Sequence, residues 1–218
     1  LLLLTSSGAV VAEVDGDLDH GHGHPGHSAG HGQGHDDDKD DLGFKNPQGL
    51  TLDAADNLYV ADRGNDRVVK LSPDGSQVLL QVAKLDGHGR PKPGSGPGEL
   101  RHPQDVAVDG NGDIYVADSG NARIQVFDSS GTFLRQLGPG VLLSTSEVRG
   151  IALTAEGLWV SDKEQERVFL FNRTGTLIKS IGDADSAVGE LSRMRGLASD
   201  RLGALYVVEP NRDRTQKF

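Results

Sequence analysis

The stretch HPQDVAVDGNGDIYVADSGNARIQVFDSSGT, residues 102–132, decides the fold of this chain. Short apolar runs alternate in it with clusters of Asp, Asn, Ser and Gly, which is typical of short antiparallel strands joined by tight turns. At its centre, the tetrapeptide Tyr-Val-Ala-Asp, Tyr115 to Asp118, is followed closely by Gly120-Asn121. Gly and Asn accept the positive φ angles that hairpin turns need, so we expect that conformation there. The stretch therefore predicts a small antiparallel sheet.

The same pattern recurs three more times along the chain. The other copies span residues 46–76, 148–176 and 194–218. Each copy is expected to form a small sheet of up to four short strands, and self-similar units of about forty residues with this content are typical of β-propeller blades. We therefore predict an all-β propeller with about four blades. The predicted blades span approximately residues 44–85, 102–138, 148–182 and 194–218.

One acid and one arginine recur at the same spacing in every copy. The acid closes the anchor tetrapeptide, and the arginine follows five residues later, where the next strand begins. A hairpin between them would bring the carboxylate against the guanidinium and adjacent N–H groups. Because one active site does not need four copies of a pair, we expect these residues to stabilise the blades. The pairs are Asp62 and Arg67, Asp118 and Arg123, Asp162 and Arg167, and Glu209 and Arg214.

These residues resemble the NHL repeat family. The first two copies carry the family's pattern well, whereas residues 163–166 and 210–213 replace the Gly-Asn turn in the last two. The resemblance covers residues 44–218 and implies an NHL-type propeller, which is usually six-bladed. Four blades then correspond to a partial ring, and we expect the chain to be a fragment of a longer protein. Alternatively, residues near Gly8 to Val14 supply a closing strand.

The residues before the repeats differ from them in composition. The net charge of the chain is −10, and most of it falls between Glu13 and Asp41, so the repeats are nearly neutral. Residues 1–12, LLLLTSSGAVVA, have the apolar run and small residues of the end of a signal peptide, which favours an extracellular location. The alternative is a strand in a cytoplasmic protein. The apolar run is too short to span a bilayer.

Residues 13–43 form a low-complexity segment rich in His and Asp, which we predict to be disordered. Imidazoles separated by Gly can bind Zn²⁺ or Cu²⁺ in interchangeable sets without a fixed geometry. The alternative is a solvated linker that carries no metal. No other cofactor is expected, and the absence of Cys excludes a thiolate site. The candidate metal ligands are His20, His22, His24, His27, His31 and His35.

A Gly- and Pro-rich segment, residues 87–103, separates the first two copies. Propellers bind partners through such loops, so the segment is a candidate recognition loop, with a plain connection between blades as the alternative. Its candidate binding residues are His88, Arg90, Lys92, Arg101 and His102.

The repeats favour a non-catalytic propeller that binds a protein or peptide through its loops, with its oligomeric state left open. The chain is also similar to the lyases that cleave peptidyl-hydroxyglycine, which is the enzymatic alternative. That resemblance implies zinc-binding His residues after Pro at the start of the inner strands. Here those positions hold Gln48, Gln104, Arg149 and Arg195. An RNA-binding or ubiquitin-ligase-associated NHL module is a second alternative, weakened by an aromatic content of only 5%.

Overall fold

The computed structural model describes residues 2–4, 10–13, 42–138, 140–182, 191–200 and 202–218. Within these ranges the regular structure consists of β-strands and three short 3-10 turns, with no α-helix. No helix in the described part of the chain is therefore long and apolar enough to cross a membrane. The all-β prediction is confirmed. The candidate metal ligands between His20 and His35 lie outside the described residues.

A separate hairpin precedes the repeats. Strand β1 (Leu2–Leu4) pairs antiparallel with β2 (Val10–Glu13) in a sheet of two strands. The alternative in which Gly8 to Val14 closes a blade does not match this topology, because β2 is paired with β1.

Four antiparallel sheets follow, which we call blades one to four. Blade one contains β3 (Pro47–Leu52), β4 (Leu58–Asp62), β5 (Arg67–Leu71) and β6 (Val78–Val82). A short hairpin of β7 (Lys84–Leu85) and β8 (Pro91–Lys92) then leads to blade two. Blade two contains β9 (Asp105–Val108), β10 (Ile114–Asp118), β11 (Arg123–Phe127) and β12 (Phe133–Leu137).

The last two blades repeat this order. Blade three contains β13 (Val148–Leu153), β14 (Leu158–Asp162), β15 (Arg167–Phe171) and β16 (Leu177–Ile181). Blade four contains β17 (Gly196–Ser199), β18 (Leu205–Glu209) and β19 (Arg214–Lys217). In every blade, strands adjacent in sequence are hydrogen-bonded neighbours. The first strands β3, β9, β13 and β17 contact one another in sequence order, so they are the inner strands of a propeller arrangement.

The second strand of each complete blade is buried on both faces. In β10, Tyr115 and Ala117 pack against blade three, whereas Ile114 and Val116 pack against blade one. Side chains on a strand alternate between its two faces, and both faces here meet a neighbouring blade. This double burial explains why the anchor tetrapeptides read as continuous apolar runs rather than as alternating polar and apolar residues.

The turn after each anchor differs from the predicted one. The prediction of a positive φ at Gly120-Asn121 is wrong. The positive φ occurs one residue later, at Ala122 (51°) in blade two and at the equivalent Asp66 (53°) in blade one. Glycine is needed there for space instead. A Cβ added to Gly120 would lie 2.7 Å from the carbonyl oxygen of Arg101, because the loop entering the blade passes directly over the turn.

Candidate functional site

The inner strands of all four blades contribute to one cavity at the propeller axis. The cavity has a volume of about 290 Å³, and we call it the axial cavity. Residues at the start of β3, β9, β13 and β17 line it, because the four strands converge at this end. Its polar lining consists of Gln48, Gln104, Asp105, Arg149 and Arg195. The four positions at which the lyase resemblance implied histidine therefore do meet at the axis, as two carboxamides and two guanidinium groups.

Asp105 was missed as a site residue by the sequence analysis. Its Oδ2 accepts a hydrogen bond from the Ile151 amide at 2.9 Å, and its Oδ1 accepts one from the Val106 amide at 2.9 Å. Gly49 leaves room for this carboxylate, since an added Cβ would lie 2.0 Å from Oδ1. Burial outweighs these two hydrogen bonds and raises the pKa of Asp105 to about 7.

Arg149 has an unsatisfied hydrogen-bond donor. Its Nη2 pairs with Glu147 Oε1, and Glu147 also accepts a hydrogen bond from Lys163 Nζ at 2.6 Å. The Nε of Arg149 is buried and has no hydrogen-bond partner among the described residues. A buried charged N–H without an acceptor is costly, so this Nε lowers the stability of the fold.

The axial residues do not fit a zinc ion. Protein zinc sites use imidazole, thiolate or carboxylate donors, and Asp105 is the one such group in the polar lining. Two guanidinium groups in the same cavity repel a cation. No cluster of three or more His, Cys, Asp or Glu residues suited to a metal occurs in the described parts of the chain.

The repeated acid–arginine pairs connect each blade to the loop that enters it. In blade two, Asp118 Oδ2 accepts from Arg123 Nε at 2.7 Å, and its Oδ1 accepts from the Arg101 amide at 2.7 Å. The corresponding Nε–carboxylate distances are 2.6 Å for Arg67 and Asp62 and 2.8 Å for Arg214 and Glu209. These pairs are placed for a structural role away from the axial cavity.

Blade three builds the same connection with different donors. Asp162 lies opposite Arg167 in the sheet register, as the spacing predicted. Its carboxylate accepts hydrogen bonds from the Ser146 hydroxyl, from Gln165 Nε2 at 2.6 Å and from the Glu147 amide at 3.3 Å. The looser sequence of this copy thus preserves an acceptor for the incoming loop.

The pKa values of two of these acids shift in opposite directions. Burial raises the pKa of Asp118, and the hydrogen bonds from Asn121, Arg101 and Arg123 offset only part of this effect. For Glu209, burial acts in the same direction, but Arg214 and Gln216 outweigh it and lower the pKa.

The candidate recognition loop is fixed over much of its length. Arg123 donates to the carbonyl oxygens of Ser95, Gly96 and Glu99 at 3.0, 2.8 and 2.7 Å. These contacts hold residues 95–99 against blade two, so this part of the loop acts as a strap.

The five candidate binding residues of this loop do not line the axial cavity. His88, Arg90 and Lys92 are exposed on or beside the β7–β8 hairpin, where the Asp86 carboxylate accepts from the His88 and Arg90 amides. The side chains of Arg101 and His102 are exposed, while the His102 amide donates to Asp66 Oδ1 at 2.8 Å.

A second repeated contact occurs at the end of the blades opposite the acid–arginine pairs, and the sequence analysis did not predict it. A lysine ammonium lies over the anchor aromatic ring in three blades. The distances to the ring centroids are 5.0 Å for Lys70 and Tyr59, 5.2 Å for Lys179 and Trp159, and 5.1 Å for Lys217 and Tyr206. The sequence signal that could have predicted these contacts is the aspartate six residues before each Tyr anchor. Asp53 and Asp200 accept hydrogen bonds from the hydroxyls of Tyr59 and Tyr206.

Two segments of the chain, residues 44–71 and 100–127, match the family model described as NHL repeat. They cover the first three strands of blades one and two, including both Tyr-Val-Ala-Asp anchors. The chain belongs to the NHL-repeat propeller family. Blades one and two are the structural counterpart of this match.

Relatives of this NHL chain include a lyase and a protein named for its NHL repeats. Peptidyl-alpha-hydroxyglycine alpha-amidating lyase 2 of Drosophila melanogaster is 32% identical over 164 residues, covering 72% of this chain and 39% of the relative. NHL repeat-containing protein 3 of Mus musculus is 30% identical over 194 residues, covering 81% of this chain and 50% of the relative. The chain spans half or less of the length of these relatives.

Solved structures with the same fold are more distant in sequence. A streptogramin B lyase aligns with a TM-score of 0.57 and 15% identity, covering 79% of this chain and 54% of that one. A catalytically inactive virginiamycin B lyase from Staphylococcus aureus with Quinupristin aligns with a TM-score of 0.55 and 14% identity, covering 79% and 55%. At this identity the likeness shows the propeller fold alone.

Proposed function

We propose that this NHL chain is a non-catalytic binding propeller that holds a peptide or protein partner at the end where the axial cavity opens. The observation that carries this proposal is the axial lining of Gln48, Gln104, Arg149 and Arg195 in place of metal-binding side chains. Carboxamide and guanidinium groups form hydrogen bonds with peptide groups and carboxylates, and none of them is a nucleophile or a general base near neutral pH. Asp105 is the one carboxylate of the lining, and both its oxygens already accept backbone amides, those of Ile151 and Val106.

The rigidity of the surrounding blades supports a binding role. The inner strands are packed against one another, and each entering loop is hydrogen-bonded to an acid or an arginine of its blade. A rigid frame lowers the entropy lost on binding, because the strands that carry the axial residues are already positioned.

A selection experiment tests this proposal. A random peptide library displayed with free C-termini is selected on the immobilised full chain, and enriched peptides are titrated against variants. We expect Arg195→Glu to weaken binding by at least about tenfold, which corresponds to about 1.4 kcal/mol. Arg195 is exposed, so this change is compatible with folding.

Arg90→Glu is the matched control, since it makes the same charge change on the exposed β7–β8 hairpin. It should bind the selected peptides as wild type does. If the peptides bind Arg195→Glu normally and are lost with Arg90→Glu, the ligand site lies on the loop and the axial assignment is wrong.

An amidating lyase activity is a second candidate, favoured by the 32% identity to the Drosophila melanogaster lyase. The full chain is incubated with a peptidyl-α-hydroxyglycine and Zn²⁺, and glyoxylate release is followed. We expect no release above the protein-free blank. Release that is lost in an Arg149→Gln variant would establish catalysis at the axis and overturn the non-catalytic proposal.

A further inference from the structure

The charges around the axial cavity leave an excess of positive charge. Arg149 and Arg195 both line the cavity, and Asp105 is the one carboxylate among its lining residues. Glu147 contacts Arg149 but is also paired with Lys163, so these two neighbours compensate each other. The lining therefore has a net charge of about +1 when Asp105 is ionised. A monoanion would neutralise this charge, whereas a dianion would exceed it.

The side chain of Arg149 also indicates the kind of ligand. It is 22% exposed and lines the cavity together with Arg195. Guanidinium N–H groups bind carboxylates through planar, frequently bidentate hydrogen bonds. A carboxylate in the cavity can therefore meet the exposed part of the Arg149 guanidinium and the exposed Arg195.

The volume and the remaining lining restrict the ligand further. A volume of about 290 Å³ is near the lower end of the range for ligand pockets, so the cavity accepts a small group rather than a folded element. The carboxamides of Gln48 and Gln104 can donate to and accept from a peptide group next to the anion. A chain end offers a carboxylate and a peptide group together.

We propose that the axial cavity binds the free C-terminal α-carboxylate of a peptide or protein partner, with Arg149 and Arg195 as its guanidinium receptors and Gln48 and Gln104 contacting the last peptide group. This inference rests on the proposed binding function and specifies its ligand. It predicts that the partner is recognised by its chain end.

The side-chain Nε–H signals of arginine in ¹H–¹⁵N NMR spectra provide a direct test. The probes are N-acetyl-Gly-Gly, its C-terminal amide, N-acetyl-aspartic acid α-amide and inorganic phosphate, each titrated into the full chain. We expect the free acid to shift the Arg149 and Arg195 Nε–H signals and to bind at least about tenfold more tightly than the amide. Arg149→Lys, which keeps the charge but loses the guanidinium, should weaken the free acid several-fold. Arg212→Gln, at an exposed arginine outside the cavity lining, should leave its binding unchanged.

Each other outcome has a defined meaning. Equal binding of acid and amide would overturn the carboxylate inference. If N-acetyl-aspartic acid α-amide binds more tightly than N-acetyl-Gly-Gly, the ligand is an internal acidic residue and the chain-end inference is wrong. If phosphate binds more tightly, the ligand is not a carboxylate and the inference is wrong. If library-selected peptides still depend on Arg195 but bind equally well as amides, this inference fails while the proposed function stands. If no selected peptide depends on axial residues, the proposed function itself fails.

Discussion

Gly49 and Asp105 share one small volume at the wall of the axial cavity. The α-carbon and the carboxylate of Asp105 lie so close to Gly49 that any side chain there would displace them. Since Asp105 also accepts the Ile151 amide of blade three, three blades meet through this contact. The geometry of the axis therefore depends on a glycine and a carboxylate whose sequence neighbours give little indication of their importance.

Gly49→Ala tests this contact. The new Cβ would lie 2.0 Å from Asp105 Oδ1 and 2.6 Å from its α-carbon, so side-chain rotation alone cannot relieve the overlap. We expect the free energy of unfolding to fall by about 1–3 kcal/mol in chemical denaturation. Gly110→Ala is the control, because nothing lies within 4 Å of its added Cβ and its stability should change by less than about 0.5 kcal/mol.

Asp105 should also make stability depend on pH in a defined direction. Its pKa is about 7 in the folded chain and close to the ordinary value of 3.8 when unfolded, so the folded state binds the proton more tightly. The resulting stabilisation is fully present below about pH 4 and is lost as pH rises through about 7. We therefore compare the unfolding free energy of wild type with that of Asp105→Asn at each pH. The difference, wild type minus variant, should be larger at pH 5 than at pH 8 by more than about 1 kcal/mol. A difference that is constant or has the opposite sign would refute the assignment of this pKa.

At the scale of elements, the arginines of blades one and two organise the segments that precede them. Arg123 reaches across to three carbonyl oxygens of residues 95–99, which a Gly- and Pro-rich segment cannot satisfy through regular strand pairing. The segment contributes a hairpin and a strap between blades one and two. Sequence composition correctly located a connection here but gave no sign of its hydrogen-bond partner, which is 24 to 28 residues away.

Arg123→Gln should release this strap. The Arg123 side chain is 9% exposed and pairs with a fully buried Asp118, so removing the guanidinium leaves a buried carboxylate without its cation. We expect a loss of about 3 kcal/mol in unfolding free energy and faster amide hydrogen exchange in residues 95–99. Arg214→Gln is the matched comparison in blade four. Its side chain is 39% exposed, and a smaller loss is expected because solvent screens the exposed end of that pair. Equal losses would contradict this reasoning.

At the scale of the whole molecule, the described blades are stabilised mainly by contacts with their neighbours. One core cluster joins blades one and two, another joins two and three, and a third joins three and four. A blade on its own would expose both faces of its second strand. Stability therefore comes largely from interfaces between repeats, as in other repeat proteins.

Leu158→Ala should weaken the packing between blades two and three. Leu158 is 1% exposed in the cluster that contains Tyr115 and Phe171, so truncation leaves a cavity in this interface. We expect unfolding free energy to fall by about 2–5 kcal/mol in denaturant titration. Leu202→Ala makes the same chemical change at a side chain that is 95% exposed, and its effect should remain within about 0.5 kcal/mol.

The sequence by itself determined the fold and the repeat unit, because apolar runs, turn residues and the acid–arginine spacing are local features repeated four times. The resemblance to the lyases also pointed to the four positions that surround the axis. Only the tertiary structure brought Asp105, Arg149 and Arg195 to one cavity and gave Arg149 an unsatisfied donor. Burial, hydrogen-bond satisfaction and the Asp105 pKa depend on side chains from different blades, whose distances no local pattern encodes.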